Sequence, residues 1–314
     1  MIGQLDLITI GEAYVELLSD KSFENTEYFN KNYGGDAVTT AVTGSRMGVN
    51  TGFITCIGND YFKNFLLKSW QNEHLDTEYV KQTEGQNAVA LISISDNNLK
   101  ETAFYRKKTA AQKLSIDDID ENYIKSSKYI YTTGIAQSLS ISANEAIKKA
   151  YEIAHKNNTI TAYALNYKKN IMLKETAKEN FEDIIPLVDI LFMSAKNDIP
   201  AVTDTDSIEN FIKRAWDTGV KIIVIKSAQN GGYYTGYNGD IVFCKYFTDN
   251  IVDTTGSKDV FNGAFLASMI QGAVPFEAAK IASVASGLQA KNIGTIKAIP
   301  TKEDILSNLS GAVL

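Results

Sequence analysis

Histidine and cysteine are almost missing from this chain: its 314 residues include two of each. His74 and His155 lie at the polar ends of two separate helical segments, which argues against a histidine zinc site or a Ser/His/Asp triad. Cys56 and Cys244 fall in FITCIG and IVFCKYF, runs that read as buried strands, so neither a disulfide framework nor a thiolate metal site is expected. No stretch is rich in lysine and arginine, and the net charge is −6 with a pI near 5.2, which sets aside general binding to nucleic acid or to a membrane surface. The apolar run in MIGQLDLITIGE is too short for a signal peptide, and no window reaches the roughly 18 apolar residues of a membrane span, so a cytoplasmic protein is expected. No Gly-x-Gly-x-x-Gly follows the first strand, which disfavours a nicotinamide-dependent dehydrogenase. Repeats, low-complexity tracts and charged tails are also lacking. Chemistry in such a chain falls to carboxylates, lysines and backbone groups, and an anionic ligand must be met by local positive charge.

Hydrophobic residues make up 44% and charged residues 22%, a balance that suits a soluble enzyme with a large core. Short apolar runs ending in Gly, Ser or Asn recur as LDLITIG, TGFITCIG, KYIYTTG, TITAYALN, DILFMSA and KIIVIKSA. Segments of helical spacing follow nearly all of them: VTTAVTGSRMG, YFKNFLLKSWQNE, SANEAIKKAYEIAHKNN, IENFIKRAWDTG, VFNGAFLASMIQG and FEAAKIASVASGLQAK. That alternation predicts an α/β fold, a mostly parallel central sheet flanked by helices. Two stretches interrupt it, at 11–37 and 85–108. In the second, period-two patterning on either side of DNN predicts a β-hairpin. The expected organisation is a core of 1–10, 38–84 and 109–314, with 11–37 and 85–108 forming a small β-sheet lid over the carboxyl edge where such folds bind ligands.

Four motifs carry candidate chemistry. In VDTTGSKDVFNGAF a turn feeds a helix start; the N–H groups of Gly256, Ser257 and Lys258 form a candidate anion hole, and Asp259 a candidate base. The same residues also read as a plain helix cap, with Thr255 or Ser257 capping. In YGGDAVTT, Gly34 and Gly35 allow close approach of backbone to a ligand and Asp36 can accept hydrogen bonds from sugar hydroxyls; a turn and N-cap is the competing reading. In TAFYRKK, strand alternation puts Phe104 and Arg106 on one face, where the guanidinium can hold a carboxylate and the ring can pack on a carbon skeleton, unless Arg106 is simply solvated. In ALNYKKN, at a strand end, Asn166 and Lys168 face one crevice.

In this order these segments resemble the ribokinase-like (PfkB) carbohydrate kinases, and within them the 2-keto-3-deoxygluconate kinases. The resemblance spans essentially the whole chain through DLITIGE, YGGD, TGFITCIGNDYFKNFL, FYRK with the following TAAQKL, and VDTTGSKDVFNGAFLA. It implies a ribokinase-like fold with a β lid, Asp259 as the base that deprotonates the attacking sugar hydroxyl, and the preceding turn as the anion hole for a phosphoryl group from ATP, with Mg²⁺ bridging the phosphates. By the same match Gly34, Gly35, Asp36, Phe104, Arg106, Ile135, Asn166 and Lys168 line the sugar site. Asn197, Lys226, Ala228, Gly231 and Val284 lie on the nucleotide side.

The chain also departs from the family pattern. The usual Gly-Ala-Gly-Asp turn is Gly256-Ser257-Lys258-Asp259, an Asn of the diglycine segment is Thr39, a tyrosine before the lid Arg is Phe104, and a substrate-binding Arg is Lys168. A Glu tied to the metal appears as Asn197, a Gly as Ala228, and an Asn near the adenine as Val284. The implied activity is an ATP-dependent kinase for 2-keto-3-deoxygluconate or a related sugar acid. The alternatives are a weak or inactive sugar or nucleotide sensor, or a kinase for fructose or ribose. The exposed face of the lid suggests a homodimer.

Overall fold

The computed structural model describes residues 4–94, 100–205, 207–248 and 250–309. Its strands are β1 (Leu5–Ile10), β2 (Tyr14–Ser19), β3 (Asn30–Gly34), β4 (Thr51–Gly58), β5 (Val80–Thr83), β6 (Ala88–Ile94), β7 (Lys100–Tyr105), β8 (Ser127–Thr133), β9 (Ile160–Ala164), β10 (Ile190–Ser194), β11 (Ile222–Ser227), β12 (Gly232–Tyr237) and β13 (Asp240–Lys245). Nine of them form one sheet in the order β13-β12-β11-β10-β9-β8-β1-β4-β5. All neighbours from β5 to β11 run parallel, and β12 is antiparallel to both of its partners.

The six apolar runs of the sequence become six adjacent strands, β4, β1, β8, β9, β10 and β11. They are apolar without alternation because both faces are covered, as β4 illustrates: all eight of its residues are buried. One face packs on the Ser257–Ile270 helix and its neighbours Asp36–Arg46 and Pro275–Ala290; the other packs on Ile141–Lys156, Lys174–Ile184 and Ile208–Asp217. The helix Lys174–Ile184 has no counterpart in the sequence reading, since KETAKENFEDI carries only the narrow stripe Ala177, Phe181 and Ile184. Among the described residues no helix is long and apolar enough to cross a membrane.

The Ser257–Ile270 helix is central, with ten of its fourteen residues buried. It meets the Asp36–Arg46 helix at backbone distance. A methyl group on Gly263 would stand 2.6 Å from the Thr40 carbonyl oxygen and from Thr43 Cβ, so only glycine fits. Thr40 Oγ1 donates to the Asp259 carbonyl oxygen at 3.2 Å. This close crossing brings the two helix starts, and with them Asp36 and Asp259, to one place.

Four strands form a separate small sheet in the order β3-β2-β6-β7. They fall inside the two interrupting stretches, and β6 and β7 pair antiparallel as the expected hairpin. Its turn signal, residues 96–98, lies outside the described residues. Charged contacts that join this sheet to the core include Arg106, just past β7, with Glu12, two residues past β1, and Lys100 Nζ, which donates to Asp253 Oδ1 at 3.2 Å. The cleft between the sheets opens at the carboxyl ends of the parallel strands, the ligand position of doubly wound folds.

Candidate active site

The turn before the Ser257–Ile270 helix lacks what a capped helix has. Its N-cap is Gly256, in the left-handed region at φ 76°, and no side chain caps it. A methyl group there would lie 2.3 Å from Thr295 Cγ2. The Ser257 N–H turns back to the Thr254 carbonyl at 3.1 Å, whereas the N–H groups of Gly256, Lys258 and Asp259 have no acceptor among the described residues. The open donors therefore include Asp259 in place of Ser257, and together with the positive end of the helix dipole they suit an anion.

Asp259 stands in the first helical turn, where its Oδ1 accepts from Asn166 Nδ2 at 3.1 Å. Asn166 is buried and holds a left-handed backbone at φ 51°, a conformation that Asn tolerates better than most residues. Burial, and then the nearby Asp36 carboxylate, push Asp259 up to about 6, against the opposing pull of Lys258, Lys168 and the Asn166 hydrogen bond. A carboxylate titrating there is ionised at neutral pH and basic enough to take a proton.

Asp36 is the first residue of its helix rather than the N-cap, which is Gly35. Its Oδ1 accepts from the Ala37 N–H at 2.8 Å and its Oδ2 from Thr133 Oγ1 at 2.6 Å. Gly35 has φ 137°, and a methyl on it would lie 2.3 Å from the Glu12 carbonyl oxygen. Gly34 is also confined: a methyl there would lie 2.9 Å from the Tyr14 ring. Opposite, Arg106 Nη2 donates to Glu12 Oε2 at 2.6 Å, and Phe104 packs edge-on against Tyr14 with centroids 5.8 Å apart. Burial raises Glu12 to about 7, with Arg106 opposing and Asp36 adding to the rise.

The cleft enclosed by these groups has a volume of about 70 Å³ and opens to solvent between the two sheets. Gly35, Asp36, Phe104, Arg106, Ile135 and Lys168 all line it, together with Gly256 and Asp259. Gly34 and Asn166 are not among its lining residues; Asn166 borders the adjacent cavity with Lys226 and Lys258 and reaches the cleft only through its hydrogen bond to Asp259. Sequence reasoning assigned no role to Glu12, Tyr14 or Thr295, which also line it. A charged residue two positions after a buried strand, as in ITIGE, is the available signal for Glu12.

The nucleotide-side candidates divide. Lys226, at the end of β11, borders a cavity with Lys258 and Asn166 and a second one with Tyr246, Thr254 and Ser257. Its Nζ lies 3.4 Å from Ser257 Oγ and 5.5 Å from the Tyr246 ring centroid. Burial, and then Lys258, bring Lys226 down to about 8, while Asp259 opposes. Val284 is fully buried within the Pro275–Ala290 helix; its neighbours Ser283, Ser286 and Gly287 face the second cavity instead. Ala228 borders a separate open concavity with Lys196 and Asn230, Gly231 has φ 68° with open space around it, and Asn197 is exposed on the turn after β10.

A doubly wound sheet whose carboxyl edge presents an uncapped helix start and a carboxylate beneath a second sheet is the architecture of a sugar kinase of the ribokinase fold. Residues 4–302 match the pfkB family carbohydrate kinases, and the chain belongs to that family. It is 26% identical over 312 residues to a 5-dehydro-2-deoxygluconokinase of Clostridium beijerinckii, covering 96% of this chain and 92% of the relative. It is 25% identical over 307 residues to an ATP-dependent 6-phosphofructokinase of Thermoanaerobacterium thermosaccharolyticum, covering 96% and 93%. Its fold is similar to that of a 2-dehydro-3-deoxygluconokinase of Thermotoga maritima, with a TM-score of 0.87 at 21% identity over 98% of this chain and 99% of the other. The protein is thus a carbohydrate kinase of the pfkB family.

Proposed function

We propose that the chain transfers the terminal phosphate of ATP to a hydroxyl of 2-keto-3-deoxygluconate or a related sugar acid. The observation that carries this reading is a single cleft bringing together the Asp259 carboxylate, the open N–H groups of its turn, and the cations Arg106 and Lys168. In the reaction the sugar hydroxyl oxygen attacks the terminal phosphorus as its proton passes to Asp259, and the bond to the ADP oxygen breaks. The N–H groups of Gly256, Lys258 and Asp259 stabilise charge on the transferring group, and Asn166 fixes the carboxylate. Arg106 and Lys168 hold the acid end, which a neutral fructose or ribose would leave unmet.

The nucleotide is assigned to the side of the second cavity, which is lined by Lys226, Tyr246, Phe247, Ile251 and the Ser283, Ser286 and Gly287 face of the Pro275–Ala290 helix. Mg²⁺ would enter with the nucleotide rather than on a side-chain site of its own. Among the described residues no three acidic or metal-ligating side chains cluster, and Asn197 offers an exposed neutral amide. When bound, the ion supplies neutralisation of phosphate charge. Transfer of labelled phosphate from ATP to a panel of keto-sugar acids tests the reading; binding of those acids without turnover favours the sensor alternative instead.

Lys258 distinguishes this turn. It borders the cavity shared with Lys226, and its ammonium has no hydrogen-bond or ion-pair partner among the described residues. The nucleotide phosphates are its natural counter-charge. Lys258→Gly is expected to weaken ATP binding about fivefold, the size of one partly solvated charge contact. Calorimetry reads this directly, and tighter binding in the variant would mean that the lysine obstructs.

Leu17, Leu91 and Ala103 are direct cross-strand partners, and with Tyr105 they form the face of the small sheet opposite Phe104. None of the four is fully buried, and Tyr105 is 64% exposed. This face supports a homodimer. Light scattering should give twice the 34.5 kDa chain mass, and a stable monomer would exclude it.

A further inference from the structure

Glu12 stands two residues past β1 and is only 3% exposed. Its Oε2 accepts from Arg106 Nη2 at 2.6 Å, while its Oε1 is buried with no partner among the described residues. The backbone cannot swing it outward, because the Glu12 carbonyl is packed against Gly35. A buried carboxylate oxygen left unpaired is costly, and Glu12 is a lining residue of the cleft that also holds Asp36, Lys168 and Asp259. Arg106 shows the complementary surplus: one of its five N–H groups is used on Glu12 and the others have no partner among the described residues. An acceptor in search of a donor and a donor in search of an acceptor thus stand hydrogen-bonded to each other. One ligand satisfies both if a carboxylate oxygen meets Arg106 and a hydroxyl on the neighbouring carbon meets Glu12.

We propose that Glu12 is a specificity-determining residue whose Oε1 accepts a hydrogen bond from a hydroxyl on the carbon next to the substrate carboxylate held by Arg106. The proposal rests on the sugar-acid reading and sharpens it to a 2-hydroxy carboxylate unit. Two kinds of acid present that unit: an aldonic acid through its C2 hydroxyl, and a 2-keto acid through the hemiketal hydroxyl formed on ring closure. Selection against a missing hydroxyl is strong in sites of this type, because the buried acceptor is then left unmet.

Calorimetric binding and kcat/KM are compared for gluconate, 2-keto-3-deoxygluconate and 2-deoxygluconate. The unmodified protein is expected to bind 2-deoxygluconate about 30-fold more weakly than the better of the other two. Glu12→Ala should reduce that ratio to about threefold, through KM more than kcat. Glu12→Gln, which keeps the volume and a carbonyl for Arg106, should fold normally and give an intermediate ratio. Each ratio is taken within one variant, so a general loss of stability does not imitate the effect. Preference for gluconate identifies the aldonic source, and preference for 2-keto-3-deoxygluconate the hemiketal source. Equal binding of all three acids, no binding of any, or a ratio unchanged in both variants overturns the proposal. Selective binding without phosphate transfer would sink the kinase reading and leave Glu12 standing; transfer without selectivity would sink Glu12 alone.

Discussion

Asp259→Asn is expected to lower kcat for phosphate transfer about a thousandfold while leaving sugar and ATP binding within a few fold, since a positioned general base contributes about 10²- to 10⁴-fold. The amide keeps the size and the place in the helix turn but cannot accept the proton. The pH profile gives a second signature. With Asp259 held up to about 6 by burial and by Asp36, kcat of the unmodified protein should rise with pH to about 6 and then flatten. The residual activity of the variant should lack that limb, which separates Asp259 from Glu12, raised to about 7 in the same cleft. Stability should move in the opposite direction. The folded-state value lies above the roughly 3.9 of an unfolded aspartate, so the stabilising contribution is complete below that pH and is lost as pH rises through about 6. At pH 7 the variant should therefore be more stable than the parent by about 3 kcal/mol, and the two should converge near pH 4. Turnover unchanged by the substitution would remove Asp259 from the chemistry.

Gly35→Ala carries the largest expected effect on the fold. At φ 137° an alanine is strained, and its Cβ would lie 2.3 Å from the Glu12 carbonyl oxygen and 3.1 Å from Ala13 Cα, both backbone atoms that cannot step aside. A loss of about 3 kcal/mol is expected, lowering Tm by roughly 5–10 °C in a chain of this size. Gly48 makes the control. It too has a positive φ, 87°, but open space around it, so Gly48→Ala should cost only about 1 kcal/mol from backbone strain. Matching melting shifts for the two variants would mean that the diglycine turn does not press against the end of β1. A disproportionate loss at Gly35 would show that this contact fixes Glu12 and Asp36 relative to one another.

Much of this architecture is legible from the chain alone. Runs such as TGFITCIG are apolar without alternation, which only a strand covered on both faces requires, and the helical segments between them fix the crossovers. The turn at 254–259 is legible for the same local reason, since a glycine followed by polar residues at a helix start leaves N–H groups without partners. Harder to read are β5, a short edge strand, β12, which glycines interrupt, and the Lys174–Ile184 helix, whose apolar stripe is narrow.

Glu12 marks the boundary between the two kinds of information. By itself ITIGE gives a strand and a charged residue at its end, and YRKK gives a cation after another strand. Their pairing depends on folding the small sheet back over the core, a contact between residues 94 positions apart that no local pattern encodes. The choice between a cap and an anion hole at Gly256 has the same character. Residue types set the chemistry available, carboxylate, ammonium and open N–H, because those follow from composition and backbone preference. The tertiary structure decides which of them meet, because burial and proximity set the proton affinity of Asp259 and leave one oxygen of Glu12 without a partner.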